Sequence, residues 1–407
     1  MKVLRPLFVA VALASASASA FAATELNVWE DIQKSRGITE AVAAFEQQYD
    51  CKVNIQEMPY IQQIEKLRLD GPAGIGPDVL LIAGDQLGAA VVQGLIAPLK
   101  ATPEQVADYT ESSLTAFTTD GQLYGYPKVV ETLVMFYNKD LLPQPFDNIE
   151  DYYKFSQERH NADKGNFGLI AKFDQIYYAF GAVAAYGGYI FGRDANGNFN
   201  VEDIGLSNDG AVECVSYLKK FYEEGLFPAG ILGENGLNAI DSLFNEKKAA
   251  AVVNGPWAYE PYQRVGINFG VTPLPKMPNG KEMSSLLGVK GYVVSSWAQD
   301  QDLAEKFIQF INQPEWAKKR FEATAEIPAS KTVMNDPVIK DNEFANAVAV
   351  QSTRAQPMPS IPEMSEVWGP IDSALQLSVS GKQDPKEALT GATDQIHNQI
   401  EAFRSGF

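Results

Sequence analysis

Along the chain, short apolar runs alternate with longer stretches whose apolar residues recur every three or four positions, as strands interleaved with amphipathic helices would. Leu26-Asn27-Val28-Trp29 reads as a first strand. Ile38 to Tyr49 carries apolar residues at helical spacing, Lys52 to Ile55 is a second strand, and Asp78 to Ile82 is a third, bounded by Gly76-Pro77. Leu303 to Ile311 and Pro314 to Phe321 are helical again, the second opened by a proline suited to a first turn. This alternation predicts an α/β protein layered around a largely parallel sheet. Asp194-Ala195-Asn196-Gly197-Asn198 reads as a turn between two short extended pieces. Its glycine falls one position early for a calcium loop and the terminal glutamate spacing fails, so a plain hairpin is expected.

One break in the pattern carries chemistry. The apolar run Ala249 to Val253 is followed by Asn254-Gly255-Pro256-Trp257-Ala258-Tyr259, so a strand ends at a Gly-Pro bend that gives the next indole a set direction. Trp257 has two readings here. It caps a core, as tryptophans near strand ends commonly do, or it is a flat stacking platform at the edge of a cleft.

The first residues describe export. Lys2 and Arg5 form a short positive region, Leu7 to Leu13 is apolar, and small residues run from Ala14 to Ala23, the layout of a cleavable secretory signal over residues 1–22. Cleavage is expected after Ala22, with Ala18-Ser19-Ala20 offering a second site. The apolar core is too short for a membrane anchor, and no cysteine stands at the end of the leader for lipid attachment. A free periplasmic protein is therefore expected. Loss of Lys2 and Arg5 moves the formal charge from −18 to −20, and such an excess of carboxylates excludes a nucleic-acid partner, which needs clustered Lys and Arg. About 385 remaining residues suit two domains of ordinary size. No Pro-rich linker or low-complexity tract divides them, as expected of a chain that crosses between lobes more than once.

Common catalytic signatures are missing. There is no Gly-x-Ser-x-Gly elbow, no phosphate loop, no His-Glu-x-x-His and no Cys-x-x-Cys. His160 and His397 are the only histidines, which poorly supplies a triad or a multi-histidine metal centre, so no metal or other cofactor is expected. A secreted glycoside hydrolase needs only two carboxylates, and residue type leaves that alternative open.

Several separated strings resemble the periplasmic maltose and maltodextrin-binding proteins, in the family's order and close to its spacing. They are Gly76-Pro77-Asp78-Val79-Leu80, Tyr126 to Glu131, Tyr137 to Leu142, Ala184 to Tyr189, the Trp257 string, and Met358 to Met364 with Trp368. The resemblance covers nearly the whole chain after the leader. It implies an α/β, two-lobed periplasmic binding protein fold with a ligand cleft between the lobes and multiple hinge crossings. The first lobe would hold residues 24–129 and 288–335, the second 130–286 and 344–407. It further implies a monomeric, non-enzymatic receptor that binds a maltodextrin-like oligosaccharide and docks on the permease subunits of an ATP-binding-cassette importer. A chemoreceptor is a further partner that the family allows. Cyclodextrin and other oligosaccharides are the nearest competing ligands.

The implied ligand residues are Lys34, Asp85 and Glu131 for sugar hydroxyls, and Tyr177, Tyr178, Trp257 and Trp368 for ring faces, with Met358 beside them. Departures from the best-known members fall at Ile82 (a cleft tryptophan there), Gln33 (aspartate), Gln86 (arginine), Gln175 (glutamate), Asp372 (arginine) and Asp31 (asparagine). The first lobe is thus expected to lack a stacking platform. The comparison also places Cys51 and Cys214 in different lobes, beyond disulfide reach, as buried free thiols.

Overall fold

The computed structural model describes residues 24–194 and 199–405. The expected leader, 1–22, and the tip of the expected hairpin, 195–198, lie outside the described residues. The hairpin's flanks are described: Gly192–Arg193 pairs antiparallel with Phe199–Asn200.

The longer strands are β1 (Thr24–Glu30), β2 (Cys51–Glu57), β3 (Val79–Ala83), β4 (Gly125–Glu131), β5 (Val134–Asn138), β6 (Phe167–Ile170), β7 (Ala249–Asn254), β8 (Phe269–Thr272) and β9 (Leu286–Val294). They form two separate sheets. One has the order β9-β3-β1-β2, with β4 and the short strand Gln356–Pro357 also on β9; the other runs β8-β5-β7-β6. β7 is buried on both faces, which explains its unbroken apolar run. The helices expected at Leu303–Ile311 and Pro314–Phe321 span Gln301–Ile311 and Pro314–Thr324, each with one face in the core.

The expectation of a largely parallel sheet is corrected. β1 is parallel to β2 and β3, but β9 runs antiparallel to both β3 and β4, and β5 runs antiparallel to β7 and β8. The cause is the traffic between sheets. β4 ends in the first sheet at Glu131 and β5 opens the second at Val134, while β9 returns at Leu286, so strands that cross over enter against their neighbours. The crossings lie side by side, joined by a buried hydrogen bond between the Thr132 and Ser285 hydroxyls.

A buried charge network ties the first sheet together beneath these crossings. Lys128 on β4 and Glu30 on β1 are fully buried, with Lys128 Nζ 2.8 Å from Glu30 Oε1 and 3.3 Å from Glu326 Oε1. Tyr292 on β9 donates its hydroxyl to Glu30. Arg320, also buried, donates to the Lys128 and Ile311 carbonyls at 3.2 Å. The network spans β1, β4, β9 and the helix Pro314–Thr324, so it fixes the two strands that lead into the crossings, β4 and β9, against β1.

Cys51 opens β2 and Cys214 lies on the helix Asp209–Glu223; both are buried and free. Burial pushes both thiols above the ordinary cysteine range. Denatured protein prepared without reductant is expected to react with about two equivalents of a thiol reagent. An intramolecular disulfide found by mass spectrometry would overturn this.

Candidate functional site

The carboxyl ends of β1 and β3, the end of β4 and the middle of β9 converge where the sheets face each other, a common place for a binding crevice in open α/β sheets. The cavity there has a volume of about 760 Å³. From the first sheet it is lined by Asp31 just past β1, Asp85 past β3, Glu131 at the end of β4, and Lys290 on β9. The second body contributes Tyr177, Tyr178, Trp257 and Trp368, with Met358 alongside. All the residues implied by the resemblance except Lys34 line this cavity.

The aromatic wall has local causes. The helix Ile176–Ala185 starts at Gln175 and presents Tyr177 in its first turn. Tyr177 and Trp257 have ring centroids 6.3 Å apart and tilted by 39°. Trp257 sits in the tight turn Pro256–Ala258 after β7 and is 42% exposed, so the core-capping reading does not hold. A Cβ on Gly255 would collide with the indole, which folds back over that backbone; glycine is needed there for space. Tyr178 is almost fully buried, lines the cavity and packs edge-to-face with Tyr177 at 5.4 Å. Trp368 opens the helix Trp368–Val379.

The polar floor is built around Lys290. The β9 pairing with β4 slips between Lys290 and Gly291, an irregularity of the kind that re-aims a side chain. Lys290 Nζ donates to Glu131 Oε1 at 3.0 Å, lies 3.7 Å from Asp31 Oδ2, and sits 4.1 Å from the Tyr60 ring centroid. Burial by itself would lower its pKa, but Glu131, Tyr60 and Asp31 outweigh that and hold it above the ordinary lysine value. The ammonium therefore stays charged. The Asp85 pKa is raised as well, but by desolvation, which for a carboxyl disfavours the charged form. The floor thus offers charged acceptors and a donor fixed by one another.

Several sequence expectations are corrected. Ile82 is fully buried in β3 opposite Gly291 and does not line the cavity; its neighbour Ala83 does. The first body does bring an aromatic ring, Tyr60, at the start of the helix Tyr60–Asp70. Lys34 lies outside the main cavity in an adjoining chamber of about 250 Å³, where its Nζ donates to the Thr324 carbonyl at 3.2 Å. Gln86 turns back to accept from Ala83 N at 3.1 Å. Asp372 accepts from Ile176 N at 2.7 Å and so caps the helix that carries Tyr177; burial pushes its carboxyl up to about 6. Tyr60 and Lys290 were missed. The available signal was Lys290 itself, a lone charge within the apolar strand Leu286–Val294.

Among the described residues no cluster of three or more His, Cys, Asp or Glu could hold a metal ion, and no helix is long and apolar enough to cross a membrane. Two mixed α/β bodies joined by adjacent crossings, with an aromatic wall facing a charged floor, are the architecture of two-lobed solute-binding proteins. The chain belongs to the bacterial extracellular solute-binding protein family, whose model matches residues 40–346. It is 49% identical to the galactooligosaccharide-binding protein of Bacillus subtilis (strain 168), over 96% of this chain and 93% of that protein. It is 35% identical to the maltodextrin-binding protein MdxE of the same organism, over 97% and 95%. Among solved structures, a cyclo/maltodextrin-binding protein complexed with maltotetraose superposes with a TM-score of 0.85 at 34% identity, covering 94% of this chain and 98% of that one.

Proposed function

We propose that this chain is the oligosaccharide receptor of an ATP-binding-cassette importer and carries out no chemistry on its ligand. The observation that carries this reading is the cavity itself, where Tyr177, Trp257 and Trp368 face Asp31, Asp85, Glu131 and Lys290. Aromatic faces cover the apolar patches of sugar rings, while paired carboxylates and an ammonium bond their hydroxyls. A galactooligosaccharide is the preferred ligand class, supported by the 49% identical relative and by the departures from the maltodextrin pattern. Maltodextrin is the second reading, supported by the neighbour that holds maltotetraose. Export through residues 1–22 to the periplasm without a lipid anchor, a monomeric state, and docking on permease subunits and a chemoreceptor belong to the same proposal, as do two lobes near the expected bounds 24–129 with 288–335 and 130–286 with 344–407, although 130–131, 286 and 356–357 pair within the first sheet.

Calorimetry and thermal unfolding with galactooligosaccharides, maltose, longer maltodextrins and cyclodextrins test it. A true ligand at a hundredfold its Kd stabilises the folded state by about 2.7 kcal/mol. No binding by any of these sugars would overturn the receptor reading, and cleaved sugar above background would favour a hydrolase. Glu131→Gln keeps the side chain's size but weakens a charge-assisted acceptor, and is expected to cost about 1–3 kcal/mol in affinity. Unchanged affinity for every sugar the parent binds would place Glu131 outside the site.

A further inference from the structure

Beside the cavity, a second set of charges spans the two bodies, with Lys34 and Glu260 in the adjoining chamber that Trp257 also lines. The segment after β1 is built as a hook. Gln33 has a left-handed backbone, φ 61°, unusual for a residue with a side chain. The turn is pinned by Glu57 at the end of β2, whose carboxylate accepts from Gln33 N and Ser35 N at 3.0 Å and from Ser35 Oγ at 2.6 Å. Arg36 Nε adds a bond to the Gln33 carbonyl at 3.1 Å. What this pinned turn presents is a pair of cations. Arg36 Nη2 reaches Glu260 Oε1 at 2.6 Å, and Lys34 Nζ lies 3.9 Å from Glu260 Oε2.

Glu260 belongs to the other body. It lies in the helix Tyr259–Val265, which continues directly from the turn that carries Trp257. The carboxylate and the indole therefore move together, and a pull on Glu260 is a pull on the stacking platform. Arg36 and Lys34 sit on a backbone that Glu57 holds to the first sheet, so opening the cleft at this edge separates them from Glu260.

We propose that Arg36 and Lys34 clamp Glu260 as an interlobe latch that stabilises the closed cleft, holds Trp257 over the ligand and sets how long the ligand stays bound. This rests on the reading of the cavity as an oligosaccharide site. The physical ground is differential: a contact present when the lobes are together and absent when they are apart shifts that equilibrium by its own free energy, whatever it touches. Arg36 is half exposed and Glu260 about one-third exposed, so the pair is weak and screened by salt. Its effect on ligand release is therefore modest, about three- to fivefold. Arg36 and Glu260 are positioning residues, and Lys34 acts with them.

The test uses the mature chain and its Glu260→Gln, Arg36→Gln and doubly substituted variants. Dissociation of galactotriose and of maltotetraose is followed by stopped-flow tryptophan fluorescence, and the radius of gyration of the sugar-free protein is measured by small-angle scattering at low and high salt. Glu260→Gln is expected to release bound sugar about three- to fivefold faster, to enlarge the sugar-free protein at low salt, and to leave the unfolding midpoint unchanged. Arg36→Gln should act in the same direction with a smaller effect, because Lys34 remains. The double variant should match Glu260→Gln alone, since a broken pair cannot be broken twice. High salt should move the parent toward the variants. Dissociation rates and dimensions equal to the parent's in Glu260→Gln, or additive effects in the double variant, would overturn the latch. If neither sugar binds the parent, the scattering comparison decides the latch by itself, while the oligosaccharide reading fails separately.

Discussion

Trp257→Ala is expected to remove about 2–4 kcal/mol of oligosaccharide binding and to change the stability of the fold much less than truncating a core aromatic, which costs about 3–5 kcal/mol. The difference follows from where the indole sits. Trp257 is 42% exposed in the structure and leans on Tyr177, whereas Tyr262, five residues on, is fully buried and hydrogen-bonded to Asp241. Removing the indole strips one face from the cavity and leaves little new void in the core. Sugar titration followed by fluorescence, together with urea unfolding of the same variant, separates the two effects. A variant that binds normally but unfolds far more easily would return Trp257 to a core role.

Lys128→Met is expected to destabilise the protein by about 3–5 kcal/mol at neutral pH, because it leaves Glu30 and Glu326 without the cation that both face. Burial alone would raise the Glu326 pKa, yet Lys128, with help from Lys34, Arg320 and Lys290, holds it below the usual carboxylate value. A depressed carboxyl contributes stability that is present above its unfolded pKa and is lost as pH falls through the folded one. In Lys128→Met the part of that contribution that Lys128 supplies disappears, and Glu326, deprived of the cation that opposed its burial, gains by protonation. The gap between variant and parent should therefore narrow as pH falls through the carboxylate range. Urea midpoints across that range check this, and a gap below about 1 kcal/mol at neutral pH would mean the network is dispensable. Because Asp31 N donates to Glu30 Oε1 at 2.7 Å, the same substitution should also weaken sugar binding by loosening the cavity floor.

Much of the local structure was legible in the sequence. β7 could be read from its unbroken apolar run because both of its faces are covered. The helix Gln301–Ile311 announced itself through apolar periodicity from Leu303 on, and the structure adds its Asp300 cap, whose carboxylate accepts from Leu303 N at 2.9 Å. The Gly255-Pro256 break before Trp257 was legible because bend, space and aromatic are neighbours in the chain. Strand direction was not, since the antiparallel entry of β9 depends on where the chain returns from the other sheet.

Cleft geometry divides in the same way. Tyr177, Trp257, Trp368, Asp85 and Glu131 were named through the family resemblance, and each lines the cavity. Ile82 was misplaced because neighbouring residues of a strand face opposite sides, so a step of one position exchanges a core residue for a cavity residue, here Ala83. Lys290 and Tyr60 escaped notice because their meaning is a contact: 230 positions separate them in sequence, and 4.1 Å separate ammonium and ring in space. Lys34 was expected to bind sugar hydroxyls, but it lies outside the main cavity, with its Nζ 3.9 Å from Glu260 of the opposite body. By itself the sequence determined which segments are strands and helices, where the chain bends, and the chemical types available to bind a sugar, since these follow from neighbours along the chain. Only the tertiary structure decided which carboxylate pairs with which cation and which side chains share the cavity, because burial and Coulomb attraction act across space between residues that the chain brings together only by folding.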